Sequence, residues 1–171
     1  MRPLHAVVVG ALGLAFVAAG CGGAIPSSNG SPATLKLTQT QFGRFLVDGQ
    51  GHTLYLFKKD EEGESYCTGA CAAVWPPLET SSKPSGTGID TAALGTIKRD
   101  DGETQVTYRG HPLYYYAADA SKPGKTKGEE LEQFGDEWYV VGANGKPVER
   151  GTKSNGGPEY GSNNKGGGGW G

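Results

Sequence analysis

Short apolar runs separated by turn residues dominate the central part of the chain. Phe-Leu-Val at 45–47 and Leu-Tyr-Leu-Phe at 54–57 flank Asp-Gly-Gln-Gly at 48–51, whose glycines tolerate positive φ. A similar arrangement surrounds residues 100–102, and Asn144-Gly145 is a strong signal for a short hairpin. The pattern therefore predicts short strands joined by tight turns.

Helical periodicity is weak in the same region. No segment keeps an apolar period of 3.6 residues over three turns. Residues 71–75 (Cys-Ala-Ala-Val-Trp) could form a single helical turn, which Pro76-Pro77 would end. We therefore predict an all-β fold, with small β-meander repeats packed as one sandwich- or barrel-like domain.

An internal repeat is the most informative feature of the sequence. Residues 51–60 and 110–119 align without a gap, 59 positions apart, and share the pattern G-H-x-L-Y-x-[FY]-x-x-D. Six matched positions favour duplication over chance. The predicted repeats span residues 35–92 and 93–149.

The repeated motif has two interpretations. On a strand, Tyr55 and Phe57 would share one face and Leu54 and Leu56 the other, which predicts a strand covered on both sides. Asp60 follows the strand and could accept hydrogen bonds from turn N–H groups. The motif is then structural; alternatively, its two copies form a paired binding surface. The corresponding residues of the second copy are Tyr114, Tyr116 and Asp119.

His52 and His111 occupy equivalent positions before the repeated strands. They could converge on a metal or titrate as a pH-sensitive pair. Duplication alone explains their equivalence, however, and no metal-ligand spacing surrounds either histidine. We expect hydrogen-bonded turn histidines, with no bound metal or other cofactor.

The N-terminus resembles that of a bacterial lipoprotein. Arg2 precedes fourteen apolar or glycine residues at 6–19. In a helix they would span about 21 Å, less than the ~30 Å hydrocarbon core, as is typical of a signal peptide. Ala18-Ala19-Gly20 then precede Cys21, as in a lipobox. We predict a signal peptide at 1–20 and acyl chains, palmitate among them, that hold Cys21 on the extracytoplasmic face of the cell membrane.

Two flanking segments lack any hydrophobic period. Residues 21–34 are predicted to be the lipidated cysteine and a flexible tether, and the Gly-rich residues 150–171 a disordered tail. The formal net charge of −2 includes no strongly cationic stretch of the kind that nucleic-acid-binding proteins carry. We expect a monomer that contacts the membrane through its acyl chains and binds no nucleic acid.

Cys67 and Cys71 remain once Cys21 is acylated, and an even pair in an exported protein favours a disulfide. Helical spacing would hold their Cβ atoms about 5–6 Å apart, beyond the roughly 3.5–4.5 Å of a disulfide, so the loop must bend at Thr68-Gly69. A redox-active pair and a copper site with a distant histidine stay open. The spacing resembles the copper site of chaperones that assemble cytochrome oxidase, although those have proline after the second cysteine and an α/β fold.

The two motif copies and the stretch 67–78 (Cys-Thr-Gly-Ala-Cys-Ala-Ala-Val-Trp-Pro-Pro-Leu) resemble a bacterial family of secreted repeat lipoproteins with the motif Y-x-[FWY]-x-x-D. The resemblance covers about residues 35–149. It implies secretion and a tandem repeat, and it supplies no activity or catalytic residue.

Recognisable catalytic motifs are missing from the sequence, which has no nucleophile elbow, zinc-protease helix or phosphate loop. We therefore predict a non-enzymatic, lipid-anchored module that binds an unidentified ligand or protein of the cell envelope. The alternative is an extracytoplasmic redox or copper-handling protein that uses Cys67 and Cys71 with a histidine.

Overall fold

The computed structural model describes residues 31–40 and 43–148. The predicted signal peptide, Cys21, most of the predicted tether and the predicted tail lie outside these residues. The strands are β1 (Thr34–Thr40), β2 (Gly43–Asp48), β3 (Tyr55–Phe57), β4 (Ser85–Thr87), β5 (Leu94–Lys98), β6 (Thr104–Tyr108), β7 (His111–Pro112), β8 (Leu131–Gln133) and β9 (Asp136–Val140). A short helix, α1, spans Ala70–Val74.

The strands form three small sheets, with the orders β2-β1-β4, β3-β9-β8 and β5-β6-β7. The all-β prediction is confirmed, and within the described ranges no sheet closes into a barrel. No helix in this part of the chain is long and apolar enough to cross a membrane.

The first sheet combines an antiparallel hairpin with a parallel strand. β1 pairs with β2, and Leu35 lies opposite Asp48. On the other edge of β1, the short strand β4 runs parallel and places Gly86 opposite Leu35. A Cβ atom on Gly86 would meet the end of the Ile89 side chain and lie a tight 3.2 Å from the carbonyl oxygen of Leu35, so glycine suits the close approach of this strand.

The central sheet contains strands from both repeats. β3 of the first repeat pairs with β9 of the second, with Tyr55 opposite Val140. Tyr55 and Tyr114 also exchange two backbone hydrogen bonds, at 2.9 and 3.0 Å. The two repeats therefore share one sheet and do not fold as separate layers.

β3 and its counterpart in the second repeat each separate two hydrophobic clusters. Leu54 and Leu56 lie in one cluster, and Tyr55 and Phe57 in the other. In the second repeat, Leu113 and Tyr115 join the first cluster and Tyr114 joins the second. The alternation of side chains along a strand accounts for this division, as the sequence predicted.

Two local predictions are confirmed. The helical turn α1 forms one residue earlier than predicted, at Ala70–Val74, and its C-cap Trp75 directly precedes Pro76-Pro77. At Asn144-Gly145 the chain reverses: Gly142 N–H donates to the carbonyl of Lys146 at 2.8 Å, and Val148 N–H donates to that of Val140 at 2.9 Å. The chain therefore returns along β9.

Candidate functional site

The tyrosine and aspartate of the repeated motif bind each other across the two repeats. Tyr55 Oη donates to Asp119 Oδ2 at 2.6 Å. Reciprocally, Tyr114 Oη donates to Asp60 Oδ2 at 2.6 Å. Each copy of the motif therefore supplies the donor for one pair and the acceptor for the other.

Both aspartates also accept hydrogen bonds from the loops that follow them. Asp60 Oδ1 accepts from Tyr66 N–H at 2.8 Å, and Asp119 Oδ1 accepts from Lys127 N–H at 3.0 Å. Each carboxylate thus uses one oxygen for its own loop and one for the opposite repeat.

Burial shifts the ionisation of these groups. It raises the pKa of the Tyr55 and Tyr114 hydroxyls well above the usual value, with the nearby aspartates adding to the effect. Both phenols therefore stay protonated and can donate. Burial also raises the pKa of Asp60 to about 6, although hydrogen bonds from Tyr114 and Tyr66 act in the opposite direction.

A buried arginine links one of these pairs to the cysteine loop. The Arg99 side chain is 1% exposed. It donates to Ser65 Oγ, Gln105 Oε1 and the carbonyl of Cys67, each at 2.8 Å. Ser65 Oγ lies 2.7 Å from Tyr114 Oη. Nothing in the sequence distinguishes Arg99, because a basic residue beside Asp-Asp resembles a solvated loop.

Four aromatic rings stack between the repeats. The centroid distances are 4.1 Å for Phe57–Trp138, 3.9 Å for Trp138–Trp75 and 4.2 Å for Trp75–Tyr116. Successive rings come from alternate repeats. Such stacking adds to the free energy gained by burying the rings. Phe57 and Tyr116, the aromatic third position of each motif copy, therefore belong to the contact between repeats.

The repeated histidines lie on different elements. His52 follows β2, and its Nδ1 is 2.8 Å from Asp48 Oδ2. Its backbone N–H donates to Asp48 Oδ1 at 2.8 Å, and Tyr115 Oη also donates to this carboxylate. His111 lies in β7, opposite Tyr108. Among residues 31–40 and 43–148, no three His, Cys, Asp or Glu side chains group as a metal site would require.

Cys67 and Cys71 form a disulfide, which confirms that prediction. Their Cα atoms are 5.1 Å apart, and Gly69 between them has a φ of 54°, a left-handed conformation that bends the loop. Cys67 is 0% exposed and Cys71 is 5% exposed. The disulfide thus lies in the same hydrophobic cluster as the aromatic stack, a few residues before Trp75 in the sequence.

A groove of about 670 Å³ opens elsewhere on the surface, between the loop at 80–84 and the strands β5 and β6. Its polar lining includes the hydroxyls of Thr80, Ser81, Ser82, Thr96 and Thr104, together with Lys83, Lys98 and Glu103. The Thr80 hydroxyl fixes the loop, because it accepts from Ala33 N–H and donates to the carbonyl of Ser82. This groove was not predictable from the sequence, because three separate segments build it and none carries a motif.

The profile of a family described as a secreted repeat of unknown function matches residues 36–79 and 95–142, together more than half of the chain. The chain belongs to this secreted-repeat family. The two matches agree with the predicted duplication. No curated protein matches the chain, and no solved structure does.

In this secreted repeat, the predicted motif residues meet inside the protein. The structure brings together Tyr55, Phe57, Asp60, Tyr114, Tyr116 and Asp119 at the contact between the repeats. His52 lies outside that contact, beside Asp48. Membership of the family assigns the chain to secreted proteins, and its description names no ligand.

Proposed function

We propose that this chain is a lipid-anchored, non-enzymatic binding module of the cell envelope. The reciprocal Tyr55–Asp119 and Tyr114–Asp60 pairs carry the proposal. They use the polar groups of the repeated motif to join the two repeats. The motif then maintains the scaffold, and recognition falls to the surface.

The polar groove beside β5 is the binding surface that we favour. Its volume of about 670 Å³ lies within the range of known ligand sites. Serine and threonine hydroxyls both donate and accept hydrogen bonds, and Lys83, Lys98 and Glu103 add charges of both signs. Such a lining suits a polar partner.

The proposed anchor is the cysteine of the lipobox-like sequence. Because a single acyl chain holds a protein only marginally, stable attachment through Cys21 needs two or more chains. The description of the family as secreted supports an extracytoplasmic location for the anchored chain.

Membrane fractionation of a Cys21→Ser variant tests the anchor. The variant should remain unprocessed or become soluble, because serine cannot form the thioether to the lipid. Ser28→Ala, a few residues along the predicted tether, is the matched control and should stay in the membrane fraction. Finding Cys21→Ser protein of mature size in that fraction would refute the anchor.

Site-specific photo-crosslinking in intact cells tests the binding surface. A photoreactive residue at the exposed Ser82 should yield a discrete crosslinked product with an envelope component. The same residue at Asn144, exposed on the hairpin turn, is the control and should yield none. Absence of a product specific to Ser82 would contradict a role for the groove.

A further inference from the structure

We propose that the outer edge of β5 binds an extended polypeptide segment of a partner protein as an additional, parallel strand. This inference rests on the proposed function and specifies its partner class. It follows from a difference between the two repeats: β1 pairs with a strand on each of its edges, whereas the equivalent strand β5 pairs with a described strand on one edge only.

The backbone groups on the outer edge of β5 face away from β6. Arg109 N–H donates to the carbonyl of Ala93, and Arg99 N–H donates to that of Glu103. Because hydrogen-bonded positions alternate along an antiparallel pair, the N–H and C=O groups of Thr96 and Lys98 and the C=O of Leu94 point to the opposite edge. The N–H of Leu94 donates to the carbonyl of Thr91 instead. Within the described part of the chain, no strand pairs with that edge.

In the first repeat, the outer edge of the equivalent strand is paired with a further strand. The family matches begin at Lys36 in β1 and at Gly95 in β5, so the two strands correspond. β1 pairs with β2 on one side, as β5 does with β6. On its other side β1 carries the parallel strand β4, and Ser85 N–H donates to the carbonyl of Ala33 at 2.9 Å.

The second repeat differs from the first at the position where a strand equivalent to β4 would lie. After Gly142 the chain turns back at Asn144-Gly145, and Val148 N–H donates to the carbonyl of Val140. These last described residues therefore lie along β9, not along β5. An open edge of unpaired N–H and C=O groups is a template for a strand from another chain.

The neighbouring groove gives the added strand room for side chains. Leu94, Thr96 and Lys98 line the groove as well as the edge. In β4, a Cβ atom on Gly86 would lie 3.2 Å from the carbonyl oxygen of Leu35, so the partner segment should be extended, with a small residue at the equivalent position. Lysine on an exposed edge disfavours pairing between identical edges, which argues for a partner protein over a second copy.

Amide hydrogen exchange of the full mature chain tests the inference, with the synthetic hexapeptide Pro-Ser-Gly-Thr-Gly-Ile as the probe. This is the sequence of residues 84–89, which contain β4. Millimolar peptide should slow exchange at Thr96 and Lys98 several-fold, in a saturable manner. Exchange at Ile97, whose N–H faces β6, should not change.

If the peptide pairs with β5 through backbone hydrogen bonds, blocking the backbone N–H groups of either partner should weaken binding. N-methylation of the peptide amides that face β5 should abolish the protection, whereas methylation of the other amides should preserve it. In the protein, Thr96→Pro removes an outward N–H and should abolish protection of Lys98, whereas Thr96→Val should retain it. The methylated peptides keep the test valid if the proline variant does not fold.

Three results would overturn the inference. One is unchanged exchange at Thr96 and Lys98, and another is protection that survives methylation on the face toward β5. The third is slow exchange without peptide that becomes fast on dilution or on removal of residues 150–171, because a second copy or the chain itself would then occupy the edge. A crosslink at Ser82 without protection of β5 would leave the binding-module proposal standing and refute only the partner class.

Discussion

At the scale of single residues, the repeated tyrosine and aspartate satisfy each other's hydrogen-bonding needs. A buried phenol or carboxylate without a partner costs about 1–3 kcal/mol or more. Tyr55 meets Asp119 and Tyr114 meets Asp60, so each repeat needs the other to satisfy its own motif. This dependence gives a structural reason for both positions to occur in both copies.

The raised pKa of Asp60 predicts a specific pH dependence. Its folded value of about 6 exceeds the ordinary value of 3.8, so the folded protein binds this proton more readily than the unfolded chain. Its contribution to stability therefore increases as the pH falls through 6 toward 4. Asp60→Asn should lack this component.

Chemical denaturation of both proteins at several pH values measures the effect. Between pH 7.5 and 4.5, the difference in free energy of unfolding should move in favour of the wild type, by roughly 1–3 kcal/mol. Taking the difference removes the contributions of the other carboxylates. A pH-independent difference would show that Asp60 is not desolvated as described.

Sequence reasoning identified the motif residues but not their partners. The alternation of Leu54, Tyr55, Leu56 and Phe57 determines which side chains share a face. It does not reveal that Tyr55 reaches an aspartate 64 residues away, because chain topology determines that distance. The buried Arg99 was equally hidden, since the Ser65 hydroxyl and the Cys67 carbonyl that it binds lie in a loop 34 and 32 residues earlier in the chain.

At the scale of elements, packing around the aromatic stack leaves no room at Gly128. A Cβ atom there would lie 2.6 Å from Trp75 Cη2 and 2.9 Å from Tyr55 Cε1. Gly128→Ala should therefore reduce the free energy of unfolding by about 1–3 kcal/mol. Gly49→Ala is the control, because its nearest contact is an ordinary 3.5 Å. Equal stability of the two variants in denaturant titrations would argue against tight packing at the stack.

The disulfide between Cys67 and Cys71 should stabilise the fold modestly. Closing so small a loop contributes roughly 2 kcal/mol, so replacing both cysteines with serine should lower stability by about that amount and leave the circular dichroism spectrum similar. Thiol titration of natively purified, denatured protein should find neither cysteine free. Two free thiols together with bound copper would support the copper-handling alternative.

Strands with a hydrophobic pattern were predictable, and strands without one were not. The run at 45–47 falls within β2, and the Asn144-Gly145 turn forms as expected. Residues 85–87 are Ser-Gly-Thr, which carries no apolar alternation, yet they form β4. They do so because the edge of β1 offers hydrogen bonds, a tertiary effect that local sequence does not encode.

At the scale of the whole molecule, the two repeats form one body. They share the central sheet, and their aromatic rings alternate in a single stack. The duplication predicted two similar halves. The reciprocal tyrosine–aspartate hydrogen bonds between these halves depend on the pairing of β3 with β9, which the duplication does not reveal. A protein with this arrangement keeps its motif inside the contact between the repeats.

Double-mutant cycles on the two reciprocal pairs test this arrangement most directly. One cycle combines Tyr55→Phe with Asp119→Ala, and the other combines Tyr114→Phe with Asp60→Ala. Equilibrium unfolding of the mature chain should give a coupling energy of about 1.5–3 kcal/mol in each cycle, as expected for a hydrogen bond to a charged group. A coupling below about 0.5 kcal/mol in both cycles is the value for independent sites and would show that the motif does not join the repeats.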